Sequence, residues 1–290
     1  MMKDYVIMTD SSCDLPEDYI KEKNLDVLNL FYNLDGVIYG GDKKLPIGEF
    51  YDKMRNGSMP TTMAVNPEDV AAAMKKHLDA GEDILFIGFS SGLSGSCQNE
   101  MLAAGEMREA YPDRKIVVVD SLCASMGQGL FVHYALKRQA EGMSLEENAK
   151  WLEDHRLNLC HQFTVDDLNH LHRGGRVSKT AAVLGTLINV KPVLHVDNEG
   201  KLIPLRNVRG RKKSLQALVE NMARTMGSFE NENKEIFISH GDCLEDAEYV
   251  AKLVEERFGP KTFYFSHVGA VIGAHSGPGT VALFYLGDER

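Results

Sequence analysis

A loop rich in hydroxyl groups carries the first side chains that could bind an anion. Ser94, Gly95 and Ser96 follow residues 84–89, an apolar run typical of a strand buried on both faces. Because a helix is predicted directly after them, its free N–H groups and partial positive charge should face this loop. Ser94 would add a hydroxyl donor, and Gly95 would let a ligand approach the backbone. The alternative is that the serines only cap the helix.

A second pair of hydroxyl groups, on Thr61 and Thr62, lies on another predicted loop. A helix should begin shortly afterwards, because Asn66 is a good N-cap and Pro67 suits the first helical position. Threonine hydroxyls on a loop can bind a carboxylate or bond to their own backbone. From this segment alone, capping is the favoured interpretation.

His275 is the third candidate, in a glycine-rich segment that spans residues 269–279. We predict a loop here that leads into a final strand, because dense glycine indicates unusual backbone angles or close approach of another group. The imidazole could face an anion, since a neighbouring carboxylate raises its basicity. A histidine held by local hydrogen bonds in a turn is the alternative.

Arginine side chains form two clusters in a chain whose net charge is −10. Arg173 and Arg176 flank a Gly-Gly pair, and Arg209 and Arg211 belong to the basic stretch 206–213. Arginine is suited to bidentate contacts with carboxylates or phosphates. We interpret these clusters as contact sites for a partner or a phosphate, with a solvated positive face as the alternative.

Residues 88–92 match the Gly-x-Ser-x-Gly elbow of serine hydrolases, and Asp120 and His275 follow Ser90 in the order of a catalytic triad. Three features argue against this enzyme. Glycines prolong the loop before the helix, few strands precede Ser90, and no oxyanion segment lies upstream. A serine esterase using Ser90, Asp120 and His275 is the second hypothesis.

The overall composition argues against several other functions. Negative net charge disfavours nucleic-acid binding, which stays a third hypothesis for stretch 206–213 alone. The five scattered cysteines include no Cys-x-x-Cys pair and predict reduced thiols. We expect no metal and no cofactor, since the sequence has neither metal-ligand spacing nor a Walker-type nucleotide loop. Lacking a signal peptide and an apolar run of membrane-spanning length, the protein is expected to be cytoplasmic, without stable membrane insertion.

The elements that position these residues alternate between strand and helix in the first half of the chain. This order predicts a parallel, Rossmann-like sheet with helices on both faces. In the second half, residues 191–196 and 201–205 flank a turn-forming segment, which predicts an antiparallel hairpin in a mixed sheet. We therefore predict an α/β fold with two domains, residues 1–157 and 158–290.

Several segments together resemble the DegV family of fatty-acid-binding proteins. Met63 and Ala64 depart from the family pattern, which has Ser and Gln there. The resemblance extends in order from about Tyr5 to Leu286 and rests on residues 9–16 (TDSSCDLP), 60–67 (PTTMAVNP), 90–96 (SSGLSGS), 173–176 (RGGR), 189–192 (NVKP) and 275–279 (HSGPG).

This resemblance implies two α/β domains with a palmitate-like long-chain fatty acid between them. The carboxylate would be held by the hydroxyls of Thr62 and Ser94, beside Gly95 and His275, and the second domain would cover the acyl chain. The resemblance also implies a protein that is not itself an enzyme. It would carry the acyl group for a separate ATP-dependent fatty-acid kinase subunit, with Arg173, Arg209 and Arg211 towards that partner.

Overall fold

The computed structural model describes residues 5–178 and 189–290. Its strands are β1 (Tyr5–Asp10), β2 (Asp26–Leu28), β3 (Phe31–Leu34), β4 (Val37–Tyr39), β5 (Thr61–Met63), β6 (Asp83–Gly88), β7 (Ile116–Asp120), β8 (Leu159–Thr164), β9 (Val190–Val196), β10 (Leu202–Arg209), β11 (Glu235–His240), β12 (Thr262–His267) and β13 (Val281–Leu286). Its helices are α1 (Glu17–Lys23), α2 (Ile47–Arg55), α3 (Pro67–Asp79), α4 (Ser96–Ala110), α5 (Met126–Ala140), α6 (Leu145–His155), α7 (Asn169–Arg173), α8 (Arg211–Thr225), α9 (Leu244–Phe258) and α10 (Ala270–Ser276).

The first sheet is parallel and has the strand order β2-β1-β6-β7. Helices α3 and α4 cover one face, and α5 and α6 cover the other. The side chains of β6 are therefore almost all buried, which explains its continuous apolar run. Helix α3 begins as predicted, because Asn66 accepts a hydrogen bond from the N–H of Glu68 and Pro67 is the first helical residue. These features confirm the predicted Rossmann-like sheet.

The second sheet is mixed and has the order β10-β9-β8-β13-β11-β12. Only the β11–β12 pair is parallel, and the other four pairs are antiparallel. Strands β9 and β10 form the predicted hairpin, with Val196 opposite Leu202 at the turn. The mixed α/β class predicted for the second half is confirmed.

A small antiparallel sheet, β4-β3-β5, was not predicted. From the apolar residues 25–32 we would expect a single strand, but β2 and β3 are separate strands that belong to different sheets. Between them the chain leaves the first sheet, and the N–H of Leu30 donates to the hydroxyl of Ser11 instead (2.9 Å). The expected loop around Thr62 is also wrong, since Thr62 lies on β5 and pairs with Tyr32.

The glycine-rich segment forms the short helix α10, where a loop was predicted. Gly273 lies inside this helix, and a Cβ there would come within 2.6 Å of the hydroxyl oxygen of Tyr51. Close packing on α2 therefore accounts for that glycine, whereas Gly277, with φ of +79°, ends the helix. High glycine content suggested a loop because the sequence does not reveal the facing Tyr51.

Helix α5 lies between the two large sheets. It contacts β1 and β6 on one side and β8, β11 and β13 on the other. All seven residues from 126 to 132 are buried, as expected for a helix that is apolar on all sides. One core cluster joins side chains of both sheets around it. The proposed boundary near residue 157 stays a prediction, although β8, which belongs to the second sheet, begins at Leu159.

Within residues 5–178 and 189–290, no helix is both long and apolar enough to cross a bilayer.

Candidate functional site

A cavity of about 750 Å³, including its opening, lies beyond the carboxyl ends of β6 and β7. This is where ligands bind in open parallel sheets. The loops after β6 and β7 form one wall, and strands of the mixed sheet form the other. The apolar lining side chains include Leu30, Phe89, Leu93, Phe163, Leu171, Val196, Leu202, Val268, Val271, Ile272 and Phe284.

Ser94, Arg176 and His275 add polar groups to this wall. The Nε atom of Arg176 donates to the carbonyl oxygen of Leu93 (3.1 Å), directly before Ser94. Burial lowers the pKa of His275 to about 4, and the nearby charge of Arg176 acts in the same direction. The imidazole is therefore neutral near pH 7, and Arg176 supplies the positive charge. We call this group, together with Thr62 and Gly95, the polar end.

Thr62 reaches the polar end through His275. Its Oγ1 atom lies 2.8 Å from Nε2 of the imidazole, which joins the small sheet to α10. A neutral histidine with its proton on Nε2 would donate to Thr62 and leave the threonine proton free for an anion. Thr62 itself does not line the cavity. The family resemblance put both residues at the carboxylate, which stays a prediction, and no feature of the sequence indicated their hydrogen bond.

In the loop before α4, the hydroxyl groups of Ser94 and Ser96 lie 3.0 Å apart, and either can donate to the other. The hydroxyl of Ser94 accepts from the N–H of Ser96 (3.2 Å), and Gly95 is the exposed N-cap. The hydroxyl of Ser96 in turn accepts from the N–H of Val65 (3.2 Å), so the loop is tied to the segment that follows β5. Ser94 accepts a hydrogen bond from the first residue of α4 and also lines the cavity, so the capping and anion-binding interpretations both stay open.

The four arginines singled out in the sequence have different environments. Arg173 is exposed, and its guanidinium lies 2.7 Å from Nδ1 of His170. Arg209 is exposed at the end of β10. Arg211 is held by Asp246, with its Nε atom 2.8 Å from the carboxylate. Of these four arginines, only Arg176 lines the cavity. The Arg-Gly-Gly-Arg motif gives no basis for distinguishing Arg176 from Arg173.

Sequence reasoning missed a second polar group in the cavity wall. The hydroxyl of Ser125 donates to the carboxyl group of Asp14 (2.5 Å) and lies 2.9 Å from the hydroxyl of Ser239. Ser276 also lines the cavity, and its buried hydroxyl has no hydrogen-bond partner within the described chain. Four separate segments supply these residues, so no local motif could have indicated them.

The esterase hypothesis fails on the positions of its three residues. Ser90 is fully buried, and its hydroxyl donates to the carbonyl oxygen of Gly200 (2.8 Å). The carboxylate of Asp120 accepts from backbone N–H groups of its own turn and of the Ser90 loop. His275 is bonded to Thr62. No hydrogen bond joins any two of the three, so the order of a triad in the sequence was coincidental.

All five cysteines are free thiols, and four of them are buried. In the part of the chain that the structure describes, no three His, Cys, Asp or Glu side chains are grouped to hold a metal ion.

Comparison with known proteins places these features in a family. The model of a family described as "Uncharacterised protein, DegV family" matches residues 4–288. A DegV domain-containing protein of Clostridium perfringens is 41% identical over 292 aligned positions, which cover 100% of this chain and 99% of that protein.

Two solved structures have the same fold. One, described as fatty acid binding of a DegV family protein from Thermus thermophilus, has a TM-score of 0.86 at 32% identity and covers 98% of this chain and 99% of its own. DegV of Bacillus subtilis, described as a fatty acid binding protein, has a TM-score of 0.83 at 26% identity with the same coverage. Because the family model and the Clostridium relative both align along nearly the whole chain, this protein belongs to the DegV family.

Proposed function

We propose that this protein binds one long-chain fatty acid, with its tail in the apolar cavity and its carboxylate at the polar end. The observation that carries the proposal is an apolar cavity whose wall includes Ser94, Arg176 and His275. The relatives from Thermus thermophilus and Bacillus subtilis, which are described as binding fatty acids, support the same ligand class.

The apolar wall supplies most of the binding free energy. A C16 acid has about 14 methylene groups, and each contributes ~0.8 kcal/mol when buried, which gives roughly 11 kcal/mol before costs. Loss of translational and conformational freedom offsets a large part of this sum. Binding of one ordered acyl chain therefore remains favourable without a covalent link.

The polar end fixes the carboxylate and its orientation. Ser94 and Thr62 donate hydroxyl hydrogen bonds, and the N–H groups at the start of α4 add a partial positive charge beside Gly95. His275 acts through Thr62 by holding its hydroxyl at 2.8 Å. Arg176 balances the negative charge in a partly buried site, where an unpaired carboxylate would be costly.

A lipid-binding experiment tests this function. Protein purified from a bacterial host should release a fatty acid on denaturing extraction, detected by mass spectrometry. Thr62→Val and Ser94→Ala should each weaken palmitate binding about 10- to 100-fold, because a hydrogen bond to a charged group contributes ~1.5–3 kcal/mol. Thr61→Val, at the exposed neighbouring threonine, is the matched control. Absence of any acyl ligand, together with no binding of added palmitate or oleate, would exclude the function.

We further propose that the bound carboxyl group is presented to a separate ATP-dependent kinase subunit, which phosphorylates it. The support is the family resemblance of the polar end and the exposed positive charge of Arg173 and Arg209. Arg211 would act indirectly, since its ion pair with Asp246 fixes the start of α8 beside Arg209.

Charge reversal separates partner docking from lipid binding. Arg173→Glu and Arg209→Glu should reduce acyl-phosphate formation by a fatty-acid kinase subunit at least tenfold, while palmitate affinity stays unchanged. Arg257→Glu, at an exposed arginine on α9, controls for net charge. Equal rates in all three variants would show that these arginines do not contact the kinase.

A further inference from the structure

Hydroxyl groups line part of the cavity wall that a saturated acyl tail would contact. Ser125, Ser239 and Ser276, which we call the serine patch, all line the cavity and are almost fully buried. Burial of hydroxyl groups against a hydrocarbon tail leaves their hydrogen-bonding capacity unused, which is unfavourable. The patch therefore needs an explanation beyond the binding of an unsubstituted chain.

Two members of the patch, Ser125 and Ser239, belong to a hydrogen-bonded relay that begins at Asp14. The relay runs from the Asp14 carboxyl group to Ser125 (2.5 Å) and from Ser125 to Ser239 (2.9 Å). Burial raises the pKa of Asp14 to about 8, so near neutral pH the group is mostly protonated. A protonated Asp14 can donate to Ser125, which can then donate to Ser239, leaving the Ser239 proton for the cavity.

The relay can also run in the opposite direction. With Asp14 ionised, Ser125 donates to the carboxylate and Ser239 donates to Ser125, so Ser239 keeps only acceptor capacity. A ligand group that both donates and accepts fits either state, and a hydroxyl is the smallest such group. A carbonyl oxygen, which only accepts, would fit one state alone.

Ser276 supplies a second hydroxyl in the same wall. It is 5% exposed, and its Oγ atom has no hydrogen-bond partner within the described residues. Thr280 donates to the carbonyl oxygen of Ser276 (3.1 Å) and lies two residues before Ala282, the partner of Ser239 across the sheet, while Ser276 itself directly follows His275 of the polar end. A buried serine with this open capacity is a binding group for a polar atom.

The position of the relay along the cavity follows from α10, which contributes Val271, Ile272 and His275 to the wall. Asp14 contacts the backbone of Gly269 at the start of this helix, and His275 lies six residues later, about 9 Å along the axis. An extended chain of single bonds advances roughly 1.2 Å per bond, as in a polypeptide. The relay therefore lies about seven or eight bonds beyond the polar end.

We propose that the serine patch binds a hydroxyl group near the middle of the acyl chain, so that the protein accepts hydroxylated long-chain fatty acids as well as unsubstituted ones. The inference rests on the proposed function and deepens it by naming a ligand class. Ser239 makes the direct contact in this arrangement, and Asp14 and Ser125 orient it, whereas Ser276 lies nearer the polar end because it directly follows His275.

Competition binding with a set of C18 acids tests the proposal on the intact protein. Stearate, 2-hydroxystearate, 10-hydroxystearate, 12-hydroxystearate and 18-hydroxystearate are compared by displacement of a fluorescent fatty acid. We expect the 10- or 12-hydroxy acid to bind within about threefold of stearate or more tightly. The 2- and 18-hydroxy acids should bind about tenfold more weakly, because their hydroxyl groups meet no partner at the patch.

Serine variants identify the side chain that binds the hydroxyl group of the ligand. Ser239→Ala should weaken mid-chain hydroxystearate about tenfold and change stearate affinity less than threefold. Ser266→Ala is the matched control, because Ser266 pairs beside Ser239 but does not line the cavity. Ser239→Cys, which nearly preserves the side-chain volume but provides only a weak hydrogen-bond donor and acceptor, repeats the test if Ser239→Ala does not fold.

The outcomes separate the two proposals. If stearate itself does not bind, the proposed function fails. If stearate binds but every hydroxystearate binds at least tenfold more weakly, or if neither serine variant changes the preference, the serine patch does not recognise a hydroxyl group and the inference is overturned.

Discussion

Asp14 is buried and His275 is half-buried near the cavity, yet loss of solvent moves their pKa values in opposite directions. In each case the neutral form is favoured, which raises the pKa of Asp14 to about 8 and lowers that of His275 to about 4. Arg176 consequently carries the positive charge at the polar end. The rest of the wall can remain uncharged and compatible with an acyl chain.

The raised pKa of Asp14 predicts a pH-dependent stability difference. Above about pH 4 the unfolded chain releases this proton, whereas the folded protein retains it until about pH 8. The unfolded state binds fewer protons in this window, so the contribution of Asp14 to stability is lost as pH rises. Asp14→Asn lacks this titration.

The quantity to follow is the difference in the free energy of unfolding between the parent and Asp14→Asn. We expect this difference to decrease as the pH rises from 4 to 8, by at most ~1.4 kcal/mol per pH unit. Urea denaturation at several pH values measures it, and shifts of other groups largely cancel in the difference. Asp113→Asn, at an exposed carboxylate, controls for the loss of one charge. Parallel stability curves for parent and Asp14→Asn would contradict the prediction.

At the same scale, the sequence indicated those site residues that lie in short motifs. Thr62, Ser94 and His275 belong to segments with recognisable composition, and the family resemblance added their roles. Asp14, in the turn after β1, and Ser239, on β11, are linked only through Ser125 at the start of α5. Such a contact depends on the tertiary structure and has no signature in local sequence.

Among the elements, the β9–β10 hairpin has a direct effect on the site. Its turn packs on the loop that leads to Ser94, where the Ser90 hydroxyl donates to the carbonyl oxygen of Gly200. Gly200 has a φ of +74°, and a Cβ there would lie 2.2 Å from the oxygen of that hydroxyl. The hairpin therefore positions the anion-binding loop, and glycine is required at this contact.

Gly200→Ala should lower the free energy of unfolding by about 2–5 kcal/mol, the sum of left-handed backbone strain and overpacking. It should also weaken palmitate binding, because the displaced loop carries Ser94. Gly142→Ala is the matched control, since Gly142 has a φ of +92° but open space around it. That change should cost only ~1–2 kcal/mol and leave binding intact. Chemical denaturation and palmitate titration of both variants provide the measurements. Equal palmitate affinities of Gly200→Ala and Gly142→Ala would show that the hairpin does not position the anion-binding loop.

Elements with strong local signals were predicted well, and those that depend on distant partners were not. Helix α3 has both a cap and a first-turn proline, and the β9–β10 hairpin has its turn signal. Strand β5 has three residues and exists because it pairs with β3. Helix α10 has seven residues and is stabilised by packing on α2, which its glycine content does not indicate.

The whole molecule is organised around α5. Phe131 is fully buried in the core cluster that includes side chains of both large sheets. Both large sheets lose the cover of one face if this helix unfolds, so we expect one cooperative unfolding transition. Trp151 reports on the α5–α6 contact, because its ring packs near Phe131 and Tyr134, and hydrogen exchange of β11 reports on the mixed sheet.

Phe131→Ala should destabilise both sheets together by about 3–5 kcal/mol. Trp151 fluorescence and β11 exchange should then shift to lower denaturant concentration by the same amount. Leu102→Ala, at an exposed leucine of α4, should change stability by less than ~0.5 kcal/mol. Protection of β11 that persists after Trp151 has unfolded would show that the two halves are independent.

The shared position of α5 also bears on how such proteins can diversify. Recombination could exchange only one half of the gene. Helix α5 would then have to pack against two sheets that come from different parent proteins. Mismatch on either side would leave cavities or steric overlap in the core. Inheritance of this architecture should therefore proceed by substitution along the entire gene, and not by shuffling of interchangeable modules.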